Sequence, residues 1–176
     1  TATAYKYLDI GISVGPMSYV ELLLGDNKGN QMFLTYTMWK AFIEKRVNIE
    51  RLMQSTESFS KLTIHELVVE IVKIRDKNIV KLTLYDTCMY VKPSTILFMF
   101  ELEDCIEYVY YQLNQNIYTV SDKYKQFVSI LRQNHVTNKC DAIKLLREKY
   151  DKTCLINCEL MAYASNNIVY DALYGK

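Results

Sequence analysis

The chain has 176 residues, 50% of them hydrophobic, and a formal net charge of +1. This length and composition predict a globular protein with one large hydrophobic core and a second, smaller core. The near-zero charge excludes a strongly basic domain that would attract polyanions over its whole surface.

Three strands are predicted at the start of the chain. Apolar and polar residues alternate over 7–14, which is typical of a strand with one buried face. After a turn at Gly15-Pro16, a second strand is predicted over Tyr19–Leu24 and a third over Met32–Leu34. Residues 25–29 between them tolerate left-handed backbone and form the connecting loop.

A helix is predicted next, from Tyr36 to Met53, with Thr35 as its cap. Its apolar residues, Trp39 and Phe42 among them, roughly follow helical spacing, and charged residues take the other side. We expect Trp39 to be the core aromatic of this helix.

The same order of elements then recurs. One long or broken strand is predicted over Leu62–Ile74, a turn over 75–78, a hairpin partner over Ile79–Tyr85 and a closing strand over Cys88–Val91. A second helix is predicted to run to about Gln115, with Pro93 in its first turn, where a missing N–H costs nothing.

The two runs, near 7–54 and 61–116, therefore look like two copies of one unit. We predict an α+β fold in which two strand-strand-strand-helix repeats form antiparallel sheets with packed helices. The predicted boundaries are 1–58, 59–118 and a helical C-terminal extension over 119–176. The alternative is an α+β domain whose halves look alike because strands, hairpins and helices are common parts.

The extension has no strand pattern. Helices are predicted from Ser121 or Asp122 to about Asn134, from Asn138 or Asp141 onward, and from about Cys154 to Tyr174. Their apolar faces must cover either the repeats or another subunit, so we expect a homo-oligomer or a partner protein at these helices.

The sequence also indicates a compartment. The five Cys have no paired spacing, and neither a signal-type segment nor a membrane-spanning run is present. We expect a soluble intracellular protein with no membrane contact, at the nucleus or at a site of viral or organellar transcription. Abundant Tyr, Ile, Asn and Lys suggest an A+T-rich gene, as in some large DNA viruses or parasites.

Catalytic signatures are mostly absent, because the chain has no phosphate-binding glycine loop and no hydrolase or zinc-protease motif. His65 lies in a strand pattern and is interpreted as structural. We therefore expect no enzyme and no cofactor, since a hydrolase or transferase has no convincing residue set. One possible zinc set lacks the short CxxC of structural sites: His135, Cys140, Cys154 and Cys158.

Charge is unevenly distributed in the second copy. Basic residues lie in or beside its strands, whereas its helix is acidic. If the helices cover one face of the sheet, positive charge collects on or around the opposite face. The alternative is that these charges are only a solvated surface.

One segment resembles a known family. The stretch from Gln31 to Phe42 resembles the last-strand-into-helix segment of the single-stranded DNA-binding coactivator family of positive cofactor four, and of the plant Whirly proteins. Leu34, Thr35 and Trp39 match its strand, cap and aromatic, and Met89-Tyr90-Val91-Lys92-Pro93 matches more loosely. Neither the family's Lys-Gly run nor the Whirly Lys-Gly-Lys-Ala motif is present.

The resemblance implies a non-catalytic protein that binds single-stranded DNA or RNA in transcription or genome maintenance. Bases would stack on sheet aromatics while cations neutralise phosphates. The alternative is a protein-interaction or scaffold subunit with the same fold. The residues expected to stack are Tyr19, Phe33, Tyr85 and Tyr90, and those expected to bind phosphate are Lys73, Arg75, Lys77 and Lys81.

Overall fold

The computed structural model describes residues 5–55, 60–136, 138–151, 153–164 and Tyr170. It confirms an α+β fold with a three-stranded and a four-stranded antiparallel sheet. The chain divides into two compact units. The first contains the residues up to Gly11 and Val20–Asn114, and the second contains Ile12–Tyr19 and the residues after Asn114.

The first sheet has the order β1-β2-β3. Alternate residues of β2 and β3 are buried, and Leu22 pairs with Leu34 while Leu24 pairs with Met32. One face of the sheet is therefore apolar, as the period-2 pattern predicts. The strands are β1 (Lys6–Ser13), β2 (Tyr19–Asp26) and β3 (Gln31–Thr35).

The helix after β3 begins as predicted but is broken. The Thr35 hydroxyl accepts a hydrogen bond from the Met38 N–H at 3.2 Å, and the buried Trp39 joins the core. The chain then forms α1 (Tyr36–Glu44) and α2 (Arg46–Gln54) instead of one helix. The apolar spacing of the sequence does not reveal this break. Apolar residues seven apart, on either side of the break, would also lie on nearly the same side of one continuous helix.

The second sheet is a meander with the order β4-β5-β6-β7. The predicted strand over 62–74 is two antiparallel strands joined at His65-Glu66. His65 is exposed with a φ of 52°, so its assignment to a strand was wrong. The other turns are Arg75-Asp76 and Tyr85-Asp86. The strands are β4 (Lys61–Ile64), β5 (Leu67–Ile74), β6 (Lys77–Leu84) and β7 (Thr87–Val91).

The helix after β7 repeats the arrangement of the first. Pro93 occupies its first turn, as predicted. The chain forms α3 (Pro93–Glu101), which has 9 residues like α1, then breaks at Leu102 and continues as α4 (Glu103–Asn114). Both repeats therefore consist of antiparallel strands followed by a helix broken at the same place.

The repeats share one hydrophobic core. Side chains from the inner faces of both sheets and from α1 to α4 form a single buried cluster. Helices α1 and α2 approach β4 and β5, and α3 approaches β6. The rings of Phe42 and Phe100 stack with their centroids 5.2 Å apart. In the part of the chain that the structure describes, α1, α2 and α3 thus approach the second sheet on its inner face.

Polar contacts reinforce the packing of α1 against α4. The Lys40 ammonium lies 3.1 Å from the Glu107 carboxylate, which also accepts a hydrogen bond from the Tyr36 hydroxyl. The Tyr36 and Tyr110 rings stack with centroids 3.5 Å apart. Burial raises the pKa of Tyr36, so its hydroxyl stays protonated and remains a donor.

The second unit is a small helical bundle. Its core contains Phe127, Leu131 and Leu146, with Ile12 and Val14 packed against it. Asn138 caps its second helix by accepting from the Asp141 N–H. The helices are α5 (Ile117–Gln133), α6 (Lys139–Lys149) and α7 (Leu155–Ala164). The predicted end of the last helix, beyond residue 164, lies outside the described residues except for Tyr170.

Residues of the β1–β2 connection belong to this bundle. The Ser18 N–H donates to the buried Ser121 hydroxyl at 2.9 Å. Ser121 belongs to α5, which begins at Ile117. The predicted helix start at Ser121 or Asp122 was therefore wrong. The helical unit is consequently not formed by the C-terminal residues alone.

A buried ion pair fixes the β2–β3 turn. The Asp26 carboxylate lies 3.1 Å from the Lys6 ammonium and accepts hydrogen bonds from Asn30 and from the Lys28 N–H. Burial alone would raise the pKa of Asp26, but these hydrogen bonds outweigh it and lower the pKa far below the ordinary 3.8. The carboxylate is thus charged and fully occupied in holding the turn.

Replacing Asp26 by Asn should lower the free energy of unfolding by about 3 kcal/mol, because the Lys6 charge stays buried without its partner. The native pKa lies below that of the unfolded chain. The wild-type stabilisation is therefore complete above pH 3.8 and is lost as the pH falls further. Urea unfolding at several pH values measures both effects.

The matched control is Asp9→Asn, which removes an exposed carboxylate from β1. It should change the free energy of unfolding by less than about 0.5 kcal/mol. Equal stability of the Asp26 and Asp9 variants at neutral pH would contradict the structural role of the ion pair.

Candidate nucleic-acid interface

The outer face of the second sheet lies opposite the helices. Strand alternation turns Leu67, Val69 and Ile71 of β5 into the core, so the intervening residues face outward. Register places four of the outward residues in one line across β4, β5, β6 and β7. This line, called the Lys61–Tyr90 row, consists of Lys61, Glu70, Lys81 and Tyr90.

Tyr90 and Lys81 are a predicted stacking residue and a predicted phosphate ligand that the structure brings together on this face. They are direct cross-strand partners, and Tyr90 is 38% exposed. The Lys81 ammonium lies 3.2 Å from the Glu70 carboxylate, and this hydrogen bond raises the pKa of Lys81. Lys81 is therefore firmly cationic but already has an anionic partner.

The neighbouring row is small and neutral. Thr83 and Cys88 are cross-strand partners, and the Thr83 hydroxyl lies 3.5 Å from the Cys88 sulfur. On the other side of the Lys61–Tyr90 row, Ile79 faces outward but is only 8% exposed. The open part of the face is thus the part next to Tyr90 and Cys88.

The β5–β6 hairpin ends in a basic tip, defined as Lys73, Arg75 and Lys77, which are all exposed. Lys73 lies on the helix side of β5 by alternation, Lys77 on the outer side of β6, and Arg75 in the turn. Lys77 and Lys81 are four residues apart on one face of β6, which corresponds to about 13 Å. Lys77 and the row can therefore contact one extended ligand on this face.

Tyr85 is separated from the basic tip. It occupies the β6–β7 turn with a φ of 51° and is 72% exposed. The length of β6 puts it about 26 Å from Lys77 along the strand. The structure thus places Tyr85 and the tip at opposite ends of the hairpin.

Phe33 lies on a different surface, the outer face of the first sheet. It pairs with Leu23 and is 54% exposed. The ring of Tyr7 lies directly over Gly25 on this face, where any β-carbon would collide with it. The only Lys or Arg in β1–β3 is Lys6, which is turned inward to Asp26.

The charges near Phe33 are negative. Asp9 is exposed on β1, and Glu21 alternates with the buried residues of β2. This face is thus apolar and acidic, unlike that of the second sheet. Tyr19, at the start of β2, is 52% exposed and belongs to the second unit.

Sequence reasoning missed Lys61 and Glu70 as members of the site. Their positions follow from pairing β4 with β5, and that pairing depends on the turn at His65-Glu66. No glycine or proline marks this turn, so a continuous strand was an equally good interpretation of the sequence.

The possible zinc ligands are not brought together. Among the residues that the structure describes, no three His, Cys, Asp or Glu side chains are grouped as metal ligands. His135, Cys140 and Cys158 are exposed, and Cys154 is half-buried.

Comparison of this chain with protein-family models, curated proteins and solved structures gave no match. Within the described part of the chain, none of the helices combines the length and apolar character needed to cross a bilayer.

Proposed function

We propose that this protein binds single-stranded nucleic acid without catalysis, through the Lys61–Tyr90 row and the basic tip. One observation carries the proposal: an exposed tyrosine and a lysine are direct partners on a sheet face that α1 to α4 leave uncovered. The biological setting would be transcription or genome maintenance.

The chemistry of single strands suits this surface. An unpaired base exposes its ring face and can stack on Tyr90, whereas the bases of a duplex are stacked on one another. Phosphates of the same strand would lie near Lys81 and, about 13 Å further along β6, at the basic tip. Such contacts ignore base identity, so binding would depend little on sequence.

The segment that resembles the positive cofactor four and Whirly families supports the same proposal. Thr35 caps α1 and Trp39 is buried, as that segment requires. The missing lysine-rich motifs imply that binding would use the cations of the β5–β6 hairpin instead.

A second candidate is a protein-interaction subunit. Phe33 lies on an acidic face without outward cations, and Leu97 and Phe98 are 41% and 61% exposed on α3. Apolar groups of this kind serve protein contacts better than phosphate binding. A scaffold of this type would show no salt-dependent affinity for oligonucleotides.

Changing Lys73, Arg75, Lys77 and Lys81 together to Ala should weaken oligonucleotide binding at least tenfold, because phosphate contacts are lost. The slope of log affinity against log salt should fall by about 0.7 for each contact removed. Fluorescence anisotropy with single-stranded DNA, RNA of the same sequence and duplex DNA, each at two salt concentrations, measures both quantities.

The control variant removes the same charge from the helical unit. Its four substitutions to Ala are at exposed positions: Lys125, Lys144, Arg147 and Lys149. This variant should retain affinity within about twofold. Equal losses in the two variants would mean that only net charge matters, and would reject the assigned surface.

Tyr90→Leu should weaken single-strand binding by about tenfold, since stacking of a base on an aromatic ring is worth about 1–3 kcal/mol. Phe33→Leu is the matched control. Phe33 and Tyr90 occupy corresponding positions, since each lies two residues before the N-cap residue of a helix, Thr35 or Lys92. The control should bind normally. A larger loss with Phe33→Leu would move the site to the first sheet.

A further inference from the structure

Glu70 occupies the middle of the Lys61–Tyr90 row. Its register partners are Lys61 on β4 and Lys81 on β6, so it is flanked by two lysines on the outer face. Among the described residues, it is the only acidic side chain in the row. A polyanion that crosses the row must pass this carboxylate.

The contact between Glu70 and Lys81 is close and partly accessible. One carboxylate oxygen lies 3.2 Å from the ammonium, and the side chains of Lys81 and Glu70 are 28% and 29% exposed. A phosphate that reaches Lys81 must therefore replace or share this partner. It would also lie within several ångströms of the Glu70 charge, which repels it.

We propose that Glu70 is a positioning residue that sets the affinity of this site by competing with phosphate for Lys81. In the unbound protein it holds the Lys81 side chain across the sheet, beside Tyr90. A phosphate contact at this row then involves exchange of one ion pair for another. Retention of a ligand consequently depends on base stacking at Tyr90. This inference rests on the proposed function.

Glu70→Gln keeps the size of the side chain but removes the competing charge. It should tighten binding of oligothymidylate about fivefold, because a like charge near the phosphate disappears. It should also increase the slope of log affinity against log salt by up to about 0.7, since the contact of Lys81 with phosphate no longer has to replace the ion pair with Glu70. A purely structural role for Glu70 would not raise the salt slope.

Two further variants isolate the effect. In a Lys81→Gln background, Glu70→Gln should change the affinity less than twofold, because the ammonium group for which Glu70 and phosphate compete is absent. Glu66→Gln removes an exposed carboxylate from the β4–β5 turn and should also change it less than twofold. Circular dichroism verifies that each variant is folded.

The outcomes separate this inference from the proposed function. Normal wild-type binding with no gain for Glu70→Gln, or the same gain in the Lys81→Gln background, overturns the competition alone. Absence of binding by both wild type and Glu70→Gln overturns both proposals. Binding by Glu70→Gln alone supports the competition and overturns the proposed function for the natural chain.

Discussion

The structure of the first unit depends on one shared core between two sheets. Each repeat has a sheet whose inner face is buried, and the helices of both repeats contribute side chains to the same core. The Phe42–Phe100 contact brings the two helix pairs together, so that α1 and α2 approach the sheet of the second repeat. In the described residues, α1 to α4 contribute to the core on the inner side of β4–β7, so the part of the outer face next to Tyr90 and Cys88 stays accessible, whereas Ile79 is buried.

Corresponding positions in the two repeats differ in chemistry. Where the second repeat pairs Lys81 with Tyr90, the first pairs Leu23 with Phe33. Among the described residues, the outer face of the second sheet therefore combines an aromatic ring with outward cations, whereas that of the first sheet does not. The net charge of +1 for the whole chain does not reveal this local difference, and the Glu70–Lys81 ion pair reduces the positive charge of the second face.

Much of the fold could be predicted because local signals are strong. Thr35 is the predicted cap of α1, Asn138 is one of the two predicted starts of α6, and Pro93 marks the start of α3. The turn at His65-Glu66 was missed because it contains no glycine or proline, and the start of α5 was missed although an asparagine, Asn116, occupies its N-cap position. The site was predicted only in part, because the membership of Glu70 depends on strand register and not on residue type.

The central claim is that single strands bind on the outer face of the second sheet. Amide chemical shifts from ¹H–¹⁵N spectra during titration with oligothymidylate test it most directly. The account predicts that the largest changes occur in β6 and β7, at Lys81, Cys88 and Tyr90, while β3 around Phe33 is unaffected. Changes concentrated on β3 or α3, or no changes at all, would contradict it.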